Sequence, residues 1–127
     1  MATRPVFTAG DVFTAVNANI LATSIVALNT QAGTAYTAAL TDVGKLISFT
    51  SGTAIAFTIP ANATVAFAVG DQLNIYQAGT AQVTITPAAT VTVRSSGAKL
   101  KTKDQFSVAT CIKIDTNEWI ALGNLSS

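Results

Sequence analysis

Six carboxylates, seven basic side chains, one cysteine and no histidine are the main chemistry available to this chain. Without histidine the commonest general base and metal ligand is missing. A Ser-His-Asp or Cys-His nucleophile has no base here, and zinc sites of histidine and several cysteines go with it. The carboxylates are Asp11, Asp42, Asp71, Asp104, Asp115 and Glu118. A glycosidase needs two of them flanking a sugar bond. Asp42, Asp71, Asp115 and Glu118 instead fall in predicted turns, where a short acidic side chain bonds its own backbone. No spacing sets two face to face, so no catalytic site, cofactor or metal is expected. Gly70-Asp71 and Gly79-Thr80 lack the Lys-Ser/Thr pair and helix of a phosphate loop. Asn62-Ala63-Thr64 and Asn124-Leu125-Ser126 match the glycosylation pattern, but no secretion signal accompanies them.

Three smaller signals remain. Lys99, Lys101 and Lys103 alternate, with Arg94 near in sequence. On a strand they line one face, either an anion contact or a solvated face that keeps a sheet edge from sticking. Cys111 is the one cysteine, so an intrachain disulfide is excluded; it reads as a small buried or interfacial thiol. Trp119 is either core or, with Tyr76, an aromatic contact for a glycan.

These residues sit in a chain poor in charge. Of its 127 residues half are hydrophobic and 10% charged, against roughly 25% in typical domains. Such a surface is covered either by Thr, Ser, Asn and Gln or by copies of the chain or a partner. The second is expected. A net charge of +1 gives no strong field for nucleic acid or anionic membrane. Ile20 to Leu28 falls far short of the about 20 apolar residues of a membrane span. No basic-then-apolar leader opens the chain, so synthesis in a cytoplasm is expected. The length allows one domain and a short appendage.

Residues 1–11 look extended, either an arm along a partner or a loose terminus, and Phe7-Thr8-Ala9 echoes in Phe13-Thr14-Ala15. Residues 14–29 read as a helix capped by Thr14, with Val16, Ile20, Leu21, Ile25 and Leu28 on one broad face. Asn29 to Thr34 reads as a linker. From Tyr36 on, short alternating runs predict eight or nine strands. Thr53, Ile55, Phe57 and Ile59 share a face. Leu73 and Ile75 point one way, and Val83 and Ile85 point inward. Phe106, Val108, Thr110, Ile112 and Ile114 mark the longest strand. Ser51-Gly52 predicts a hairpin turn. Val65, Phe67 and Val69 fit an edge strand or a packed loop. The pattern predicts an all-β sandwich or barrel, mostly antiparallel, with no α/β alternation.

The run Tyr36-Thr37-Ala38-Ala39-Leu40-Thr41-Asp42-Val43-Gly44-Lys45-Leu46 resembles the opening of a β module common in bacteriophage virion proteins. Phe57-Thr58-Ile59-Pro60, Phe67-Ala68-Val69-Gly70, Ile75-Tyr76-Gln77-Ala78-Gly79, Val83-Thr84-Ile85-Thr86-Pro87, Val91-Thr92-Val93, Lys99-Leu100 and Trp119-Ile120-Ala121-Leu122-Gly123-Asn124-Leu125 continue it in order. Phe7 to Ala15, followed by Val16-Asn17, resembles the first segment of short virion proteins and fibres. The resemblance implies a β-rich homotrimer: an antiparallel, jelly-roll-like β-sandwich of about 8 strands over residues 36–127, with an extended arm and short helix over residues 1–35. A chain without shaft or heptads fits a capsid cement (decoration) protein on the virion surface, assembled in the host cytoplasm. Its partner would be the major capsid protein. The apolar arm residues Val6, Phe7, Val12, Phe13, Ile20 and Leu21 would dock on the shell. The alternative is a tail fibre or tailspike tip that binds host surface glycans, through Tyr76 or Trp119. Neither implies a catalytic residue, nucleic acid or membrane.

Overall fold

A computed structural model describes residues 27–127. The expected arm and all but the last residues of the expected helix, with Val6, Phe7, Val12, Phe13, Ile20 and Leu21, lie outside the described residues.

The alternating runs form strands β1 (Leu28–Gln31), β2 (Ala35–Thr37), β3 (Leu46–Phe49), β4 (Ile55–Ile59), β5 (Gln72–Gln77), β6 (Val83–Pro87), β7 (Thr92–Ser95), β8 (Lys101–Thr102), β9 (Val108–Asp115), β10 (Glu118–Gly123) and β11 (Leu125–Ser126). They make a six-stranded sheet, β1-β3-β5-β9-β10-β7, and a five-stranded sheet, β11-β8-β6-β4-β2. The described chain is all-β with mixed sheets. Where the sequence suggests a helix end and a linker, Leu28–Gln31 pairs with β3. Val65, Phe67 and Val69 lie in a loop, with Phe67 buried.

The expected antiparallel order is corrected. β1, β3 and β5 run parallel, as do β2, β4 and β6, and β7 with β10. The reason lies in the turns. Ser51-Gly52 does not fold β4 back beside β3 but carries it across to the other sheet, and Gly79-Thr80 does the same between β5 and β6. Two crossings restore the strand direction, so the next strand in a sheet runs parallel to the last. The crossings also stack and pair their backbones. The amides of Ala78 and Gly79 donate to the Phe49 carbonyl at 2.8 and 3.0 Å. Gly79 is needed there, because a Cβ would lie 2.5 Å from the carbonyl oxygens of Thr50 and Ser51. One offset of 28 residues pairs Leu46 with Asn74 and Ile55 with Val83.

Between the sheets lies one apolar core. Ile47, Phe49, Leu73, Ile75 and Trp119 meet Ile55, Phe57, Ile59, Val83 and Ile85. Val83 and Ile85 point inward as expected, and Leu73 and Ile75, expected to share a side, share the inward one. Tyr36, Phe49 and Phe57 form an aromatic cluster with centroids 5.8 to 6.5 Å apart, a geometry that adds to plain burial.

Candidate functional site

Each described carboxylate has a partner within the chain. Asp42 is buried and accepts from Asn29 Nδ2 at 2.8 Å, Tyr36 Oη at 2.7 Å and the Ala39 amide at 2.8 Å. It ties β1 and β2 to the short 3-10 turn at Leu40–Asp42. Burial, and then the bond to Asp42, pushes the Tyr36 hydroxyl above its ordinary range. Asp71 accepts from the Ala68 amide, Asp104 from Ser107 Oγ and Asp115 from the Thr116 amide. Glu118 stands opposite Asp115 across the β9–β10 turn but pairs with Arg94 at 3.0 Å. Among the described residues no group of three His, Cys, Asp or Glu is placed to hold a metal ion.

One buried cation was not singled out by sequence reasoning. Lys113 is 2% exposed. Its Nζ donates to Asn62 Oδ1 at 2.6 Å and to the Phe67 carbonyl at 2.7 Å. The same Phe67–Ala68 peptide donates its N–H to Asp71 Oδ2 at 2.9 Å. The ammonium therefore reaches a carboxylate through one polarised peptide group, which offsets part of the cost of burying it. The signal was present in the alternation, since Lys113 shares a face with Ala109 and Cys111. Its role is to pin the loop after Pro60 onto the six-stranded sheet. Lys99, Lys101 and Lys103 are all exposed, and β8, which carries Lys101, lies between β11 and β6 rather than at an edge.

Trp119 as a glycan contact is corrected. Its ring is 1% exposed and packs edge-on against Phe67, with centroids 5.4 Å apart. A core aromatic presents no face to a sugar. Tyr76 is half-buried and faces outward on β5. Cys111 is fully buried, and burial pushes its thiol up to about 12.

The longest strand turns its apolar side outward. On β9 the small Ala109 and Cys111, with Lys113, face the core, because their register partners Ile75, Leu73 and Trp119 already fill it. Val108, Ile112 and Ile114 are left outside. Three register rows cross this outward face. The first is Leu28, Leu46, Asn74, Thr110 and Leu122. The second is Thr30, Ser48, Tyr76 and Val108. The third is Gln72, Ile112, Ile120 and Arg94. Arg94 is the one charged member, and Glu118 neutralises it. Just ahead of Val108, Phe106 is 66% exposed with φ at 73°. That left-handed backbone costs a residue with a side chain about 1–2 kcal/mol; the Phe106 amide is held by the Gln77 carbonyl at 2.7 Å. The outward face of the other sheet carries Ala35, Ala56, Thr84 and Lys101 in one row and Thr37, Thr58 and Thr86 in the next.

Comparison with protein-family models, curated proteins and solved structures returns no match to this chain.

Proposed function

We propose that this chain is a non-enzymatic structural protein of a bacteriophage virion. It acts as a capsid cement protein that binds the outer shell as a homotrimer and stabilises the major capsid lattice. The observation that carries this reading is the broad, nearly uncharged apolar face turned outward on the six-stranded sheet. A solitary chain gains nothing by exposing it, and it supports action by assembly. The resemblance from Tyr36 to Leu125 supplies the phage setting. In this reading the described residues are the outer domain, a two-sheet sandwich, and the arm residues Val6, Phe7, Val12, Phe13, Ile20 and Leu21 dock on capsid subunits. Trimerisation turns three weak contacts into avidity.

The test is copy number in purified particles, by quantitative mass spectrometry against the major capsid protein. A ratio of order one to one supports the cement role. A few copies per particle would overturn it in favour of a tail appendage that meets host glycans, for which Tyr76 remains available on the outward face. Absence from the particle overturns both.

A further inference from the structure

We infer that the outward face of the six-stranded sheet is where copies of this chain meet, turned toward a common threefold axis. The assignment rests on the homotrimer reading and adds to it a surface and an orientation. Three observations converge on a second copy as the occupant.

The first is charge. Interface centres are depleted in charged residues and enriched in aromatic and apolar ones. The rows across β1, β3, β5, β9 and β10 hold Leu46, Tyr76, Val108, Ile112, Ile120 and Leu122, and the one charge among them is neutralised within the chain. A strongly charged partner finds no complement here, whereas an identical neutral face meets no repulsion.

The second is the polar remainder. Asn74, Thr110 and Gln72 lie in the same rows, and each both donates and accepts hydrogen bonds. Gln72 Nε2 and Thr110 Oγ1 both donate to Asn74 Oδ1 at 2.9 Å, so an equally neutral neighbouring copy can cover this face without stranding a polar group.

The third is size. Six strands at about 4.8 Å spacing span about 24 Å, and six residues along a strand span about 20 Å. The flat footprint of roughly 500 Å² grows with side-chain relief toward the about 800 Å² that each partner gives a standard interface. Phe106, two residues before Val108 in sequence, is a further exposed aromatic at 66%.

The consequence is an oriented assembly. The Thr- and Ala-rich face of the five-stranded sheet, with Lys101, points away from the axis to solvent.

The test is the mass of the full chain in solution, by sedimentation equilibrium, for wild type and two sets of variants. Ile112→Asp and Leu122→Asp charge the apolar face. Thr58→Asp and Thr84→Asp charge the other. Both sets alter outward side chains, and near-ultraviolet dichroism of buried Trp119 reports whether each variant is folded. Val108→Thr keeps side-chain shape and covers the case in which the aspartates unfold the chain. The expected result is a trimer for wild type, folded monomers for Ile112→Asp and Leu122→Asp, a measurably weaker trimer for Val108→Thr, and intact trimers for Thr58→Asp and Thr84→Asp. Folded trimers of Ile112→Asp and Leu122→Asp would overturn the assignment, as would dissociation confined to the threonine variants. The cement reading would then still stand on its copy number. A monomeric wild type, with residues 1–26 crosslinked onto this face of their own chain, would overturn the copy-to-copy contact itself.

Discussion

The two sheets share one core and present opposite outward surfaces. On the five-stranded sheet the outward rows are Ala35, Ala56 and Thr84, then Thr37, Thr58 and Thr86. On the six-stranded sheet the same kind of position holds Leu46, Ile112, Ile120 and Leu122 among Thr30, Ser48, Gln72, Asn74 and Thr110. Folding a two-sheet domain requires only the inner faces to be apolar. Threonine alternating outward satisfies the β backbone without adding grease. The second pattern goes beyond what folding requires, and it is the difference on which the proposed copy-to-copy contact rests. Leu122, 49% exposed, lies on the apolar side of that division.

If the chain is a cement protein, the largest effect is expected at the capsid. Because Leu28–Gln31 is a strand of the six-stranded sheet, a truncation must stop before it. Deleting residues 1–26 is expected to abolish capsid binding in a pelleting assay while the remainder stays folded. Full binding by the truncated chain would give the docking role to one of the two outward faces.

The next effects concern the core behind both faces. Phe57→Ala removes a fully buried ring from the aromatic cluster and is expected to cost about 3–5 kcal/mol. Urea unfolding should still lose Trp119 fluorescence and strand dichroism together. Two separate transitions would mean that the faces belong to independently stable layers.

Alkaline pH acts on the same core. In the unfolded chain Cys111 loses its proton near its ordinary value of 9.0, whereas in the folded chain burial delays this to about 12. Stability is therefore full below about 9 and falls as pH rises toward 12, by up to about 4 kcal/mol. Tyr36, also pushed up by burial and by Asp42, adds loss of the same sign above its ordinary range. Urea midpoints measured across this range should fall for wild type and flatten for Cys111→Ala.

Lys113→Ala leaves Asn62 and the Phe67 carbonyl without their donor and opens a hole beside Trp119. It is expected to cost about 2–4 kcal/mol in urea unfolding, with faster hydrogen exchange at the Ala68 and Gly70 amides. At the small end, Thr58→Ala and Thr86→Ala on the plain face should change stability by no more than about 0.5 kcal/mol.

The strands were legible because period-two alternation survives wherever one face is buried. Ile55, Phe57 and Ile59, and later Leu73 and Ile75, lie where that pattern puts them. Their partners were not legible. A short Gly-bearing turn such as Ser51-Gly52 serves a hairpin within one sheet or a crossing between two, and local chemistry does not separate these. What decides is a close approach distant in sequence, Gly79 against Thr50 and Ser51. The orientation of β9 was hidden for a similar reason. Its apolar residues mark two faces as different, but which one turns inward depends on Leu73, Ile75 and Trp119 having already filled the core. Lys113 escaped notice because a lysine flanked by isoleucines reads as solvent-facing until the loop after Pro60 is seen to close over it.

The most direct test of the central claim is carbene footprinting of the full chain at assembling concentration, read residue by residue. If the chain works by assembling through its six-stranded sheet, Val108, Ile112 and Leu122 will be shielded, while Thr58, Thr86 and Lys101 label freely. Equal labelling of both outward faces, at a concentration where the mass is that of several chains, would contradict it.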